Sequence, residues 1–200
     1  MTLREKYGEW GIILGATEGV GKAFCERLAK EGMNVVMVGR REEKLKELGE
    51  ELKNTYEIDY KVVKADFSLP DATDKIFAAT ENLDMGFMAY VACLHSFGKI
   101  QDTPWEKHEA MINVNVVTFM KCFYHYMKIF AAQDRGAVIN VSSMTGISSS
   151  PWNGQYGAGK AFILKMTEAV ACETEKTNVD VEVITLGTTL TPSLLSNLPG

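Results

Sequence analysis

Trp10-Gly11-Ile12-Ile13-Leu14-Gly15-Ala16-Thr17-Glu18-Gly19-Val20-Gly21 decides how this chain folds. Gly11 to Leu14 reads as a short buried strand. Gly15, Gly19 and Gly21 follow at GxxxGxG spacing; Val20, Phe24 and Leu28 then recur at helical spacing until Gly32 signals a stop. A strand, a glycine turn and a helix bring backbone N–H groups and a helix N-terminus to one point, which suits a pyrophosphate. A second strand, Asn34 to Gly39, completes a βαβ unit of the dinucleotide-binding kind.

From Gly39 onward, helix and strand alternate with no linker, repeat or low-complexity stretch. Leu45, Leu48 and Leu52 form a narrow apolar stripe among Glu and Lys, the pattern of a helix with one face in solvent. Tyr60 to Ala65 reads as a third strand ending at Asp66, and Pro70 opens a helix to about Thr80. Gly86 to Ala92 is a fully apolar fourth strand, and a single long helix is expected from Trp105 to Ala132. A fifth strand covers Ala137 to Val141, a helix carrying Tyr156 runs to about Lys176, and a sixth strand spans Val179 to Leu186. Continuous apolar strands alternating with helices predict a parallel sheet covered on both faces. The expected fold class is α/β, a Rossmann-type doubly wound parallel sheet in three layers, as one catalytic domain over residues 1–200.

The end of the second strand bears on the cofactor. An NAD site usually carries an acidic residue there for the ribose 2′-hydroxyl, whereas this chain has Gly39-Arg40-Arg41. A guanidinium binds a 2′-phosphate bidentately, and a carboxylate repels it. NADP(H) is therefore preferred over NAD(H). Glu18 inside the glycine turn counts the other way, and the alternative for the arginines is to cap the next helix against Glu42 and Glu43.

Composition narrows the class further. Two hundred residues with 46% hydrophobic content can bury one large α/β core. A net charge of −5 offers no electrostatic footprint for nucleic acid or an anionic membrane. No apolar run approaches the roughly 20 residues of a membrane span, and Met1 to Tyr7 lacks the apolar core of a signal peptide. Cys25, Cys93, Cys122 and Cys172 show no CxxC spacing, which fits reduced thiols and a cytoplasmic protein. His95, His108 and His125 do not cluster with cysteines or carboxylates, so no metal site is expected.

The chemistry is carried by Tyr156-Gly157-Ala158-Gly159-Lys160, downstream of Ser143. Positions i and i+4 share a helix face, so phenol and ammonium point into one cavity. A nearby positive charge favours the phenolate and is expected to lower the Tyr156 pKa from its reference of about 10. Such a tyrosine exchanges a proton with an alcohol or ketone, and Ser143, at the end of a strand, holds that oxygen.

Together these residues resemble the short-chain dehydrogenase/reductases over essentially the whole chain: Gly15-Gly19-Gly21, Asp66 after the third strand, Asn115 in Asn113-Val114-Asn115, Ser142-Ser143, and Tyr156 with Lys160. The resemblance implies that Ser143 orients the substrate oxygen, Tyr156 is the acid/base, Lys160 binds the nicotinamide ribose and Asn115 holds a relay water. Asp66 would bind the adenine. By position in the motifs, Gly15, Thr17, Glu18, Gly19, Val20, Gly21, Arg40, Arg41, Asp66, Phe67, Ala92, Gly187, Thr189 and Thr191 make up the cofactor site. The run from Trp10 to Val36 is similar to the hydroxysteroid dehydrogenase and 3-oxoacyl-thioester reductase branch.

Three places depart from the family pattern. Leu14 replaces a threonine, Tyr90-Val91-Ala92-Cys93 replaces Asn-Asn-Ala-Gly, and Leu186-Gly187 replaces Pro-Gly. The first two replacements remove both partners of one hydrogen bond, so neither is left stranded; Cys93 is expected to pack inertly. The family adds a lid and a seventh strand beyond the point where this chain ends at Gly200. Phe97, Met144, Trp152, Leu194 and Leu195 are expected to line an apolar substrate pocket. A hydroxysteroid or bile acid is the favoured substrate, a 3-oxoacyl thioester the alternative, and a non-catalytic NADP-binding redox sensor the reading from another class. The two most apolar helices lack a polar back, which predicts a homodimer or homotetramer.

Overall fold

The computed structural model describes residues 1–148 and 151–187. A short helix, α1 (Leu3–Tyr7), precedes the first strand. Its signal is a capping box: Thr2 Oγ1 accepts from Glu5 N at 3.2 Å and Glu5 Oε2 accepts from Thr2 N at 2.7 Å. Then follow β1 (Trp10–Leu14), α2 (Gly19–Lys30), β2 (Asn34–Gly39), α3 (Glu42–Tyr56), β3 (Tyr60–Lys64), α4 (Ala72–Thr80) and β4 (Met85–Tyr90). The second half comprises α5 (Trp105–Ile112), α6 (Phe119–Gln133), β5 (Gly136–Ser143), α7 (Gly154–Glu173) and β6 (Val179–Leu186).

The six strands form one sheet in the order β3-β2-β1-β4-β5-β6, and every pairing is parallel. Side chains alternate faces along a strand, and β1 shows the consequence. Ile12 and Leu14 enter a core shared with Phe119, Phe123 and Ile163, while Ile13 enters the opposite core with Leu28, Leu45 and Leu48. Helices α2 and α3 cover one face of the sheet, and α4, α6 and α7 the other. The order reverses between β1 and β4, which opens a crevice at the carboxyl ends of these strands.

Four expectations change in detail. The helix expected from Pro70 starts at Ala72, after a turn in which Ala72 N bonds Leu69 O at 3.3 Å. The fourth strand ends at Tyr90, because Val91 N and Ala92 N both turn to Leu14 O, at 2.8 and 2.7 Å. The helix carrying Tyr156 ends at Glu173 rather than near Lys176. The single helix from Trp105 to Ala132 is three pieces, with a π-helical turn over Asn113–Thr118 between α5 and α6. A π turn shifts the backbone by one residue, and its Val114 carbonyl accepts the buried Tyr90 hydroxyl at 2.6 Å. Tyr90 replaces one polar group with another at this position, and its new partner lies in the π turn.

Candidate active site

The dinucleotide end is built from backbone. Gly15 has φ +101, and a Cβ there would lie 2.6 Å from Ala92 N; at Gly21 a Cβ would lie 1.9 Å from Gly15 O. Only glycine lets the β1 turn, the start of α2 and the end of β4 approach so closely. Glu18 at the α2 N-cap makes no side-chain cap bond, so the first-turn N–H groups of this 12-residue helix keep their donors for a ligand. This cradle, which a methyl group would fill, fits a pyrophosphate. Gly15, Thr17, Glu18, Val20, Arg40, Arg41, Asp66, Phe67, Ala92 and Gly187 all line one cleft of about 500 Å³. Gly19 and Gly21 shape the turn without lining the cleft. Thr189 and Thr191, like Leu194 and Leu195, lie outside the described residues.

The charges at this end sort themselves into a pair and a remainder. Arg41 bridges Glu18 at 2.9 Å, while Arg40 is exposed and has no ion pair among the described residues. The Glu18 charge that opposed a 2′-phosphate is thus matched by Arg41, while Arg40 acts on the Asp66 carboxylate by its charge, without a salt bridge between them. Arg41 is the N-cap residue of α3 but makes no side-chain cap bond, and Glu42 pairs with Lys46 at 2.9 Å. Asp66 Oδ1 accepts from Ser68 N at 3.0 Å and Ser68 Oγ at 2.7 Å. Burial alone would raise the Asp66 pKa; the Ser68 bonds and the Arg40 charge outweigh it and hold the carboxyl below its ordinary value.

At the centre of the cleft, Ser143 ends β5 and Tyr156 and Lys160 come from the start of α7. The Tyr156 hydroxyl lies beside Ser143 and Cys93, and both bear on its titration. Ser143 Oγ also accepts from Thr145 Oγ1 at 3.0 Å, which fixes its rotamer. Lys160 is 2% exposed and donates to Val141 O at 2.7 Å; its Nζ stands 5.8 Å from the Tyr156 ring centroid.

The expected depression of the Tyr156 pKa is corrected by this arrangement. Burial pushes the phenol up, Cys93 adds to the rise, and the Ser143 hydrogen bond only partly offsets them. Lys160 directs one of its three N–H donors to a carbonyl, and burial lowers its own pKa. Cys93 stands in the cleft wall, exposed and beside Tyr156.

Asn115 is buried in the π turn behind this centre and does not line the cleft. Its Oδ1 accepts from Leu94 N at 3.0 Å and its Nδ2 donates to Leu94 O at 2.6 Å. Helix α7 comes close enough that a Cβ at Gly159 would lie 2.8 Å from Asn115 Cβ. The side-chain amide therefore holds the loop after β4.

The substrate end is made of loop side chains. Phe97 and Met144 line the cleft, 51% and 50% exposed. Trp152 lies on the wall of an adjoining, largely apolar cavity of about 940 Å³, and Asn153 lines both spaces. His95, absent from the sequence reading of the pocket, stands in the cleft wall beside Tyr156. A lone histidine in an irregular segment carries no spacing signal that would have found it.

The sequence profile of the short chain dehydrogenase family matches residues 9–198. The chain belongs to this family. It is 84% identical over 200 residues to the 7beta-hydroxysteroid dehydrogenase of Collinsella aerofaciens, covering 100% of this chain and 76% of that protein. The 7beta-hydroxysteroid dehydrogenase of Clostridium sardiniense is 46% identical over 199 residues, with 76% of its length covered. A solved structure from a study of 7beta-hydroxysteroid dehydrogenase stereoselectivity superposes with a TM-score of 0.96 at 84% identity, covering 100% of this chain and 77% of that one. The family is one of oxidoreductases acting on CH–OH groups with a nicotinamide cofactor, and the glycine cradle and the Ser143-Tyr156-Lys160 centre are in place for both. No helix among the described residues is long and apolar enough to cross a membrane.

Proposed function

We propose that this chain is an NADP(H)-dependent hydroxysteroid dehydrogenase that interconverts a 7β-hydroxyl and a 7-ketone. The single observation that carries the substrate is the 84% identity over the full 200 residues to a 7beta-hydroxysteroid dehydrogenase. Arg40, which lines the cleft and has no ion pair among the described residues, supports the preference for the 2′-phosphate. Bound NADP(H) supplies the hydride acceptor or donor. Gly15 and Val20, in the turn shaped by Gly19 and Gly21, would hold its pyrophosphate, Arg40 its 2′-phosphate, and Asp66 its adenine. Lys160 would hold the nicotinamide ribose.

The residues of the chain then divide the proton work. Ser143 donates a hydrogen bond to the reacting oxygen and fixes it against Tyr156. In the ketone-reducing direction the Tyr156 phenol gives its proton to that oxygen; in the alcohol-oxidising direction the phenolate takes it. The raised phenol pKa favours the acid role. Phe97 and Met144 exclude water from one side of the steroid.

The experiment is a panel of 7β- and 7α-hydroxysteroids and 3-oxoacyl thioesters, each with NADP(H) and NAD(H). Turnover of 7β-hydroxysteroids with NADP(H) supports the proposal. Turnover of thioesters alone returns the 3-oxoacyl reductase, and cofactor binding with no turnover returns the redox sensor. We further propose a homo-oligomer in the cytoplasm, paired through α6 and α7. Ile112, Val117 and Tyr124 are 39%, 39% and 60% exposed along the α5–α6 side, an apolar surface that a partner helix would cover. A monomer by sedimentation at micromolar concentration contradicts this.

A further inference from the structure

The loop after β4 holds a polar group that the hydride transfer does not use. At one end Leu94 is clamped through its N–H and C=O by the Asn115 amide, at 3.0 and 2.6 Å. At the other end Gly98 N donates to Trp152 O at 2.9 Å. Between these ties the His95 ring stands edge-on to Tyr156, 5.8 Å between centroids, and edge-on to Phe97 at 5.5 Å. Its place is therefore set by backbone anchors on both sides and by two aromatic neighbours.

Burial holds the His95 pKa below its ordinary value, so at neutral pH the ring is uncharged, with one N–H donor and one bare nitrogen acceptor. Neither nitrogen has a hydrogen-bond partner among the described residues. His108, in contrast, engages Gln155 with one nitrogen and Ile100 O at 3.1 Å with the other. A ring needed only for packing would serve as well as phenylalanine. An immobilised neutral imidazole, lining the cleft with donor and acceptor unspent, is a recognition group.

We propose that His95 is a specificity-determining residue whose imidazole hydrogen-bonds a second ring hydroxyl of the steroid, while Ser143 and Tyr156 hold the reacting oxygen. This rests on the hydroxysteroid reading given above. A hydroxyl matches the imidazole in kind, because each offers one donor and accepts in return. The fused steroid rings are rigid, so two anchored oxygens determine which carbon and which face meet the nicotinamide. The favoured substrates are steroids with at least two ring hydroxyls, and those with one are discriminated against because the imidazole is left unpaired.

Steady-state kinetics with NADP+ on two 7β-hydroxysteroids, one with a second ring hydroxyl and one without, test this in wild type, His95→Phe and His95→Gln. Phe keeps the ring contacts and removes the hydrogen bonds; Gln keeps a donor and an acceptor and loses the ring. His95→Phe is expected to raise KM for the dihydroxy steroid roughly fivefold, the loss of about one net hydrogen bond, with a much smaller change for the monohydroxy steroid. His95→Gln is expected to recover part of the difference. Equal changes for both steroids, or none, would mean that His95 only packs. The ratio between two substrates on one preparation is insensitive to a partly folded variant. Wild-type enzyme that turns over neither steroid overturns the hydroxysteroid reading, and the role of His95 with it.

Discussion

The two ends of the cleft are built by different means. At the dinucleotide end the ligand surface is main chain: a strand end, a glycine turn and a helix N-terminus, with Gly15 and Gly21 so close to neighbouring backbone that a single methyl group would collide. At the substrate end the surface is side chain, with half-exposed Phe97 on a loop and Met144 at the start of a 3-10 turn. Main-chain geometry has few alternatives and shared ligands, so one end serves a whole family of reactions. Loop side chains change without disturbing the sheet, so the other end is where substrate choice is made. Ser143, Tyr156 and Lys160 stand between them, on β5 and α7.

If that division is right, substitutions should separate into three kinds. The largest effect is expected at the centre. Tyr156→Phe removes the proton donor and keeps the ring, so turnover should fall about 100- to 10,000-fold, while NADPH binding, followed by fluorescence titration, stays close to wild type. The pH profile should carry the same residue. Because the Tyr156 phenol is held above its ordinary value, it stays protonated through the neutral range. Ketone reduction should be flat into mildly alkaline pH, and alcohol oxidation should climb as pH rises. Equal profiles in both directions would place the proton elsewhere.

At the dinucleotide end, Arg40→Ala should raise KM for NADPH roughly tenfold to a hundredfold, the range of a lost hydrogen bond to a charged group. KM for NADH and for the steroid should move little. Arg41→Ala should affect NADPH less, since Arg41 already satisfies Glu18 at 2.9 Å. A larger effect from Arg41 than from Arg40 would reverse the assignment of the two charges.

At the substrate end, Met144→Ala should raise KM for the steroid about threefold to tenfold, the loss of part of one apolar side chain's burial, and leave KM for NADPH unchanged. A shift in both constants would show that the two ends are not separable.

The same division governs what the sequence reveals. The six strands and the glycine turn follow from local patterns: Gly11 to Leu14 is a short buried apolar run that ends at a glycine turn, and Val179 to Leu186 begins with valines alternating with Asp180 and Glu182. Tyr156 and Lys160 follow from helical spacing. The π turn does not, because apolar residues fill nearly every position from Met111 to Phe130 and hide the one-residue shift at Asn113–Thr118. The direction of the Tyr156 pKa was also hidden. Spacing places Lys160 on the same helix face, but only the fold shows its ammonium bound to Val141 O and the phenol buried against Cys93. His95 owes its position to Asn115 and Trp152, both distant in sequence from it. The short α1 is not among the expected elements, although Thr2-Leu3-Arg4-Glu5 carries a complete capping box.

The account turns on the stereochemistry of the product. Purified enzyme given a 7-oxosteroid and NADPH should form the 7β-alcohol, identified by chromatography against both epimers, with the 7α-alcohol absent. Formation of the 7α-alcohol, of both epimers in comparable amounts, or of no alcohol under conditions where NADPH binds, would contradict it.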